Sequence, residues 1–244
     1  MVSLRRPDTL PALIEQAATS LVDVVSSLQT TGLGRHRDGV ARIVLTGGGA
    51  GIGMLERVRE LEDADPRVDW SRVHVFFGDE RNVPVDHADS NEGQARRALL
   101  DHVDIPEANI HGYGLGEVSM QDAADAYRET IGKVAPEGFD IHLLGMGHEG
   151  HVNSLFPHTD AVRESERLVL AVTDSPKPPA ERVTLTLPAV HRAEQVWLLV
   201  SGGNKAEAAS RVVAGADPVD WPAAGARGAE ETVLYLTDDA AGLL

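Results

Sequence analysis

In the stretch FDIHLLGMGHEGHVNSLFPH an apolar run gives way to a glycine-spaced turn, and from that turn onward come His148, Glu149, His151 and His158, residue types able to move protons or bind metals. Three kinds of chemistry suit such a cluster: metal ligation, a turn that holds a nucleotide, and acid-base work by an imidazole. Metal ligation by H-E-x-x-H needs both histidines on one face of a helix, and HEGH is one residue short of that spacing. Gly147 and Gly150 point instead to a tight loop. A neutral imidazole near its unperturbed pKa can take a proton from water and later return it to a leaving oxygen, with neither thiol nor metal. A structural histidine satisfied by backbone bonds fits the same residues, His148 and His158 more readily than His151.

Other chemistry-bearing residues sit where apolar runs end. In ARIVLTGGGAGIG, Thr46, Gly47, Gly48 and Gly49 follow a short strand, and glycines there let backbone N–H groups face an anion. No Gly-Lys-Ser/Thr follows, which excludes a Walker A loop, and the glycines miss the G-x-G-x-x-G spacing of a dinucleotide fingerprint. A purely structural turn fits as well. Lys205, after SGGN at the start of a helix, and Arg182, at a strand entrance behind SPKPP, could supply cations to an anion site. Either residue taken alone fits solvated surface equally well. Asp79, Glu80 and Arg81 in FFGDERN suit a site or an internal ion pair. No G-x-S-x-G elbow occurs, which argues against a Ser-His-Asp hydrolase.

The elements that must position these residues alternate in type. Leu10, Leu13, Ile14, Ala17, Leu21, Val24, Val25 and Leu28 recur at helical spacing, with Pro7 and Pro11 at the first turn. Strands are expected at ARIVLT, SRVHVFF, FDIHLLG, RLVLAVT, RVTLTLP, EQVWLLVSG and TVLYLT. Helices are expected at MLERVRELED, EGQARRALLDHV, SMQDAADAYRETIGKV and from about Lys205 to Val213, with Ser119 and Asp122 forming a capping pair. This alternation predicts a single-domain α/β fold over residues 1–244, a mostly parallel Rossmann-like sheet with helices on both faces. TGGGAGIG, GDERN, GMGHEGH and SGGNK all follow strands, so they should converge on one crevice.

The chain has 244 residues, no cysteine and a formal net charge of −16. Absence of cysteine excludes disulfides, thiolate zinc ligation and a cysteine nucleophile, and it fits a cytoplasmic protein. The charge repels phosphate backbones and anionic lipids, so neither nucleic acid nor membrane is an expected partner. The N-terminal stretch has no continuous apolar segment followed by a small-residue cleavage site. A monomer is expected.

Taken together, LTGGG, FFGDERNVPVDHADSN, FDIHLLGMGHEGHVNSLFPHT, SPKPPAERVTLTLPAV and LLVSGGNKAEA resemble the 6-phosphogluconolactonases, within the glucosamine-6-phosphate isomerase/6-phosphogluconolactonase superfamily. That resemblance implies hydrolysis of 6-phospho-D-glucono-1,5-lactone to 6-phospho-D-gluconate in the oxidative pentose phosphate pathway, with no cofactor and no metal. It implies His151 as the catalytic histidine, with Asp79 or Glu149 orienting it. It implies Thr46, Gly47, Gly48, Gly49, Arg182 and Lys205 as the sugar-phosphate contacts, with Arg81 a further candidate. Two positions depart from the family's usual pattern: His148-Glu149 stands where Pro-Asp is usual, and Gly49-Ala50-Gly51 stands where Ser or Thr usually follows the paired glycines. The rival readings are a glucosamine-6-phosphate isomerase/deaminase and a non-catalytic sugar-phosphate sensor; the SLFP ending and the SPKPP loop resemble the lactonase branch.

Overall fold

Strands covered on both faces have no polar face to show, so they read as unbroken apolar runs. The computed structural model describes residues 2–244. In chain order its elements are β1 (Val2–Arg5), α1 (Leu10–Thr31), β2 (Ala41–Leu45), α2 (Gly48–Ala64), β3 (Val73–Phe77), β4 (Asp79–Arg81), α3 (Asn91–Ala98), β5 (Ile110–His111), α4 (Met120–Val134), β6 (Phe139–Gly145), α5 (Asp160–Arg163), β7 (Val169–Val172), β8 (Arg182–Leu185), α6 (Leu187–Val190), β9 (Ala193–Val200), α7 (Ala206–Ala214), α8 (Pro222–Gly225) and β10 (Glu231–Leu236). No helix among the described residues is long and apolar enough to cross a membrane.

Seven strands form one wholly parallel sheet in the order β1-β10-β9-β6-β2-β3-β5. From β2 the chain steps outward through β3 to β5, then returns to the other side of β2 with β6 and steps outward again through β9 to β10. The order therefore reverses between β2 and β6, paired through Ile43 with Ile141 and Val44 with His142. Connections leaving the two strands diverge at such a reversal and open a crevice beyond the strand ends. A side-chain bond ties its two lips together: the Gly145 N–H donates to Thr46 Oγ1 at 3.1 Å.

A second, three-stranded antiparallel sheet, β4-β8-β7, joins this framework and was not separated from the main sheet by the sequence reading. GDER is thus a short strand rather than only a turn, with Asp79 opposite Thr184 and Arg81 opposite Arg182. Three polar residues carry too little alternation to reveal a strand. The same brevity hid β5, and β1 is only a four-residue edge strand beside β10.

Helix α2 begins at Gly48, six residues earlier than the MLERVRELED segment expected from periodicity. Glycine weakens an isolated helix, but here tertiary contact decides. A β-carbon on Gly51 would lie 2.6 Å from the Thr46 carbonyl oxygen, and one on Gly53 would lie 2.7 Å from Ile14 on α1. Those glycines let the first turns of α2 press against β2 and α1. The ends of α1 and α4 follow the sequence more closely: Gly32 closes α1 in the left-handed region at φ 70°, and the Ser119 hydroxyl accepts from the Asp122 N–H at 3.1 Å.

The end of β3, which delivers Asp79 to the crevice, is clamped by two buried tyrosines. Phe77 donates its N–H to the Tyr127 hydroxyl at 2.7 Å, and that hydroxyl donates back to the Phe77 carbonyl at 3.1 Å. Tyr113 donates to the same carbonyl at 3.0 Å, its ring stacked on Tyr127. Tyr127→Phe should therefore leave the buried Phe77 N–H without its partner and lower stability by about 1–3 kcal/mol in denaturant unfolding. A variant as stable as the parent would show that the clamp contributes nothing.

Candidate active site

At the reversal, Thr46, Gly47, Gly48 and Gly49 lead from β2 into α2, so the free N–H groups of the first helical turn face the crevice. Gly48 has φ 82°, a conformation that side chains beyond Cα disfavour. Lys205, just before α7, lines the same cleft and makes no ion pair among the described residues. Burial, then the nearby Lys177 ammonium, lowers its pKa. Asp79, Arg81, Arg182 and His151 complete the wall, so nearly all the candidate residues meet in one place. Glu149 is the exception, standing behind the imidazole rather than in the cleft wall.

The GDER residues divide between cleft and scaffold, and the internal ion pair of Arg81 with a carboxylate that the sequence allowed is not formed among the described residues. Glu80 is buried and accepts four bonds, from the Arg81, Asn91 and Glu92 N–H groups and from the Ser90 hydroxyl. It is thus an anchor for the start of α3, and burial pushes its carboxyl upward in pKa against those bonds. Asp79 accepts from Ser154 Oγ at 2.6 Å and from Asn91 Nδ2 at 3.0 Å, with Arg182 Nη1 3.8 Å away. Arg81 Nη1 donates to Asn91 Oδ1 at 2.6 Å and to the Asp89 carbonyl at 2.9 Å. Arg182 is 5% exposed and donates to the carbonyls of Pro179 and Lys177 at 3.0 Å each. The guanidinium thereby fixes the SPKPP loop while its Nη1 edge faces Asp79 and Ser154. Burial lowers its pKa, yet an arginine keeps its charge at any ordinary pH.

The GMGHEGH turn is shaped around one ring. Gly147 and His151 are tied by a 3.0 Å bond from the Gly147 N–H to the His151 carbonyl, and a β-carbon on Gly147 would collide with the imidazole. Gly150 turns at φ 78°. His151 stacks on Phe156 with centroids 4.4 Å apart. Its Nδ1 lies 3.3 Å from Glu149 Oε1 and 3.4 Å from Lys177 Nζ, while Lys177 and Glu149 pair at 2.8 Å. Asp79 makes no such contact with the ring. Burial lowers the His151 pKa, the Lys177 charge adds to that effect, and Glu149 opposes both. Burial works against ionisation of Glu149 as well, but the Lys177 bond, its own backbone N–H and His151 outweigh it and bring the carboxyl down to about 2.

Lys177 is the residue that sequence reasoning missed. Its signal was its place in SPKPP, five residues before Arg182, but a single loop lysine does not reveal what it will touch. The other histidines separate from the site. His148 has a side chain 62% exposed and lies 3.2 Å from Glu149; His158 faces Asp220 at 3.5 Å. Among the described residues no group of three or more histidine, aspartate or glutamate side chains is arranged to hold a metal ion.

This fold and cleft place the chain in a known class. A family model described as glucosamine-6-phosphate isomerases/6-phosphogluconolactonase matches residues 9–235, and the chain belongs to that family. It is 52% identical over 215 residues to the 6-phosphogluconolactonase of Mycobacterium tuberculosis, covering 84% of this chain and 86% of the relative. It is 48% identical over 227 residues to that of Mycobacterium leprae, covering 89% and 90%. A crystal structure of 6-phosphogluconolactonase from Thermotoga maritima superposes with TM-score 0.80 at 25% identity, over 98% of this chain and 100% of that one.

The position of Lys177 between imidazole and carboxylate gives a measurable sign. Lys177→Met removes the cation that opposes protonation of His151 and leaves Glu149 uncompensated, so the His151 titration followed by ring NMR should move upward. Glu149→Gln should move it downward. Titrations that coincide with the parent's in both variants would contradict the geometry.

Proposed function

We propose that this chain, acting as a single unit without a cofactor, hydrolyses 6-phospho-D-glucono-1,5-lactone to 6-phospho-D-gluconate, the lactone-opening step of the oxidative pentose phosphate pathway. One observation carries the reading: a largely buried imidazole, its pKa lowered by burial and by Lys177, lines a cleft that also holds a helix N-terminus and Lys205. The phosphate would sit at Thr46 to Gly49 with Lys205, Arg81 and the Nη1 edge of Arg182 at its flanks, fixing the lactone carbonyl before His151. The 52% and 48% identical relatives bearing the lactonase name support the same substrate.

We assign the His151 proton to Nδ1, facing Glu149 Oε1 at 3.3 Å, which leaves Nε2 as the basic nitrogen. Nε2 takes a proton from the water that attacks the lactone carbonyl carbon, giving a tetrahedral oxyanion. That intermediate collapses by breaking the bond to the ring oxygen, and the imidazolium returns its proton to the departing alkoxide. Glu149 acts here as the orienting carboxylate and Lys177 as its clamp. Asp79 supports the wall through Ser154 and Asn91.

In a rapid assay of freshly generated lactone, His151→Ala should lose about a hundred- to ten-thousand-fold in kcat. His148→Ala should match the parent, and Lys205→Ala should act mainly by raising KM. Since a general base works only when deprotonated, kcat/KM should fall as pH drops through the His151 pKa, which lies below the ordinary histidine value of 6.5. A His151→Ala rate equal to the parent's would overturn the mechanism. Ammonia release from glucosamine 6-phosphate by the parent would favour the isomerase/deaminase branch, and binding without turnover would favour a sensor.

A further inference from the structure

His142 lies in β6, fully buried, and among the described residues neither ring nitrogen makes a hydrogen bond of ordinary geometry. Leaving a buried polar group poorly paired is costly, so a histidine among Ile141, Leu143 and Leu144 calls for a reason. Burial drives its pKa down to about 3, which makes it a neutral ring with one N–H and one lone pair. Among the described residues the Asn153 side chain is the polar group near enough to the ring to oppose this shift.

Asn153 lines the cleft and is held in the left-handed region at φ 49°, which asparagine tolerates better than most residues. Its carboxamide lies against Gly78, between the β3 end and Asp79, and a β-carbon on Gly78 would strike Oδ1. Its one hydrogen bond is long, from Nδ2 to the Leu185 carbonyl at 3.4 Å. The other carboxamide of the cleft, Asn91, is fully engaged, donating to Asp79 and accepting from Arg81. Asn153 therefore keeps donor and acceptor capacity that its neighbour lacks. Cations and helix N–H groups suit a phosphate and an imidazole suits a carbonyl carbon, but a sugar ring also carries neutral hydroxyls. A neutral amide with a free N–H matches those.

We propose that Asn153 reads a ring hydroxyl of the substrate and that His142 is the positioning residue that orients its carboxamide, an inference that rests on the cleft being a sugar-phosphate site. When the His142 N–H is donated to Oδ1, the amide Nδ2 is turned toward Leu185 and the cleft, where it donates to a hydroxyl oxygen.

The test compares the full lactone with analogues lacking the hydroxyl at C2, C3 or C4, using the whole chain and variants checked by thermal melting. Asn153→Gly suits the left-handed backbone, and His142→Leu keeps an apolar volume. The parent should favour the full lactone over one analogue by about ten- to a hundredfold in kcat/KM, the worth of one to two hydrogen bonds. That preference should fall to near unity in Asn153→Gly and in His142→Leu, and His142→Gln, which restores a neutral donor, should regain part of it. A structural role alone would lower all substrates equally. A preference that survives Asn153→Gly, or a parent with none, overturns the proposal. Calorimetry with 6-phosphogluconate and its deoxy analogues separates the two readings. Asn153-dependent preference in binding without lactone turnover would sink the lactonase reading and keep this one, whereas turnover without preference would do the reverse.

Discussion

The reversal of strand order between β2 and β6 is the constraint on which the site depends. A parallel sheet wound outward in one direction would leave each strand end covered by its own connection. Because the chain turns back at β2, the loops after β2 and β6 diverge, and the Thr46 side chain ties them through Gly145. The glycine cradle and the GMGHEGH turn therefore face each other across one crevice. The end of β9 brings Lys205 to the same place, and the small antiparallel sheet adds Asp79, Arg81 and Arg182.

The electrostatics of the crevice run against those of the molecule. With a net charge of −16 the surface as a whole repels a phosphorylated substrate, so recognition must be local. In the proposed site fixed groups would supply it: the first turn of α2, Lys205 at α7, and two arginines held by carbonyl and amide oxygens. Lys177 belongs to a second purpose. By pairing with Glu149 at 2.8 Å it offsets the pull of that carboxylate on His151, whose pKa lies below the ordinary value although Glu149 stands beside the ring. Replacing Pro-Asp with His148-Glu149 is compatible with this arrangement, because the exposed His148 lies beside Glu149 and the longer carboxylate reaches both Lys177 and His151.

What could be read from the sequence followed from local rules. The spacing of HEGH, one residue short of H-E-x-x-H, argues against a metal helix, the resemblance to the lactonases sets His151 apart from His148, and apolar runs ending in polar clusters point to one crevice. What escaped depended on partners distant in sequence. The glycines that opened the cradle also begin α2, because Gly51 and Gly53 meet Thr46 and Ile14, a packing fact that helix propensity cannot contain. Glu80 and Asp79 are adjacent yet serve different ends, since one is surrounded by the α3 N–H groups and the other faces Ser154 and Arg182. Lys177, His142 and Asn153 lie inside the quoted segments, but nothing local shows what they touch; each meets a neighbour at least ten residues away.

In the proposed mechanism the cradle at the strand reversal fixes a phosphate so that the reacting carbon lies at His151. A crystal structure of the protein with 6-phosphogluconate bound would show this. The phosphate should lie at the start of α2 against Lys205, with the C1 carboxylate within about 3–3.5 Å of His151 Nε2. Phosphate bound at His151, or product bound outside the crevice between β2 and β6, would contradict it.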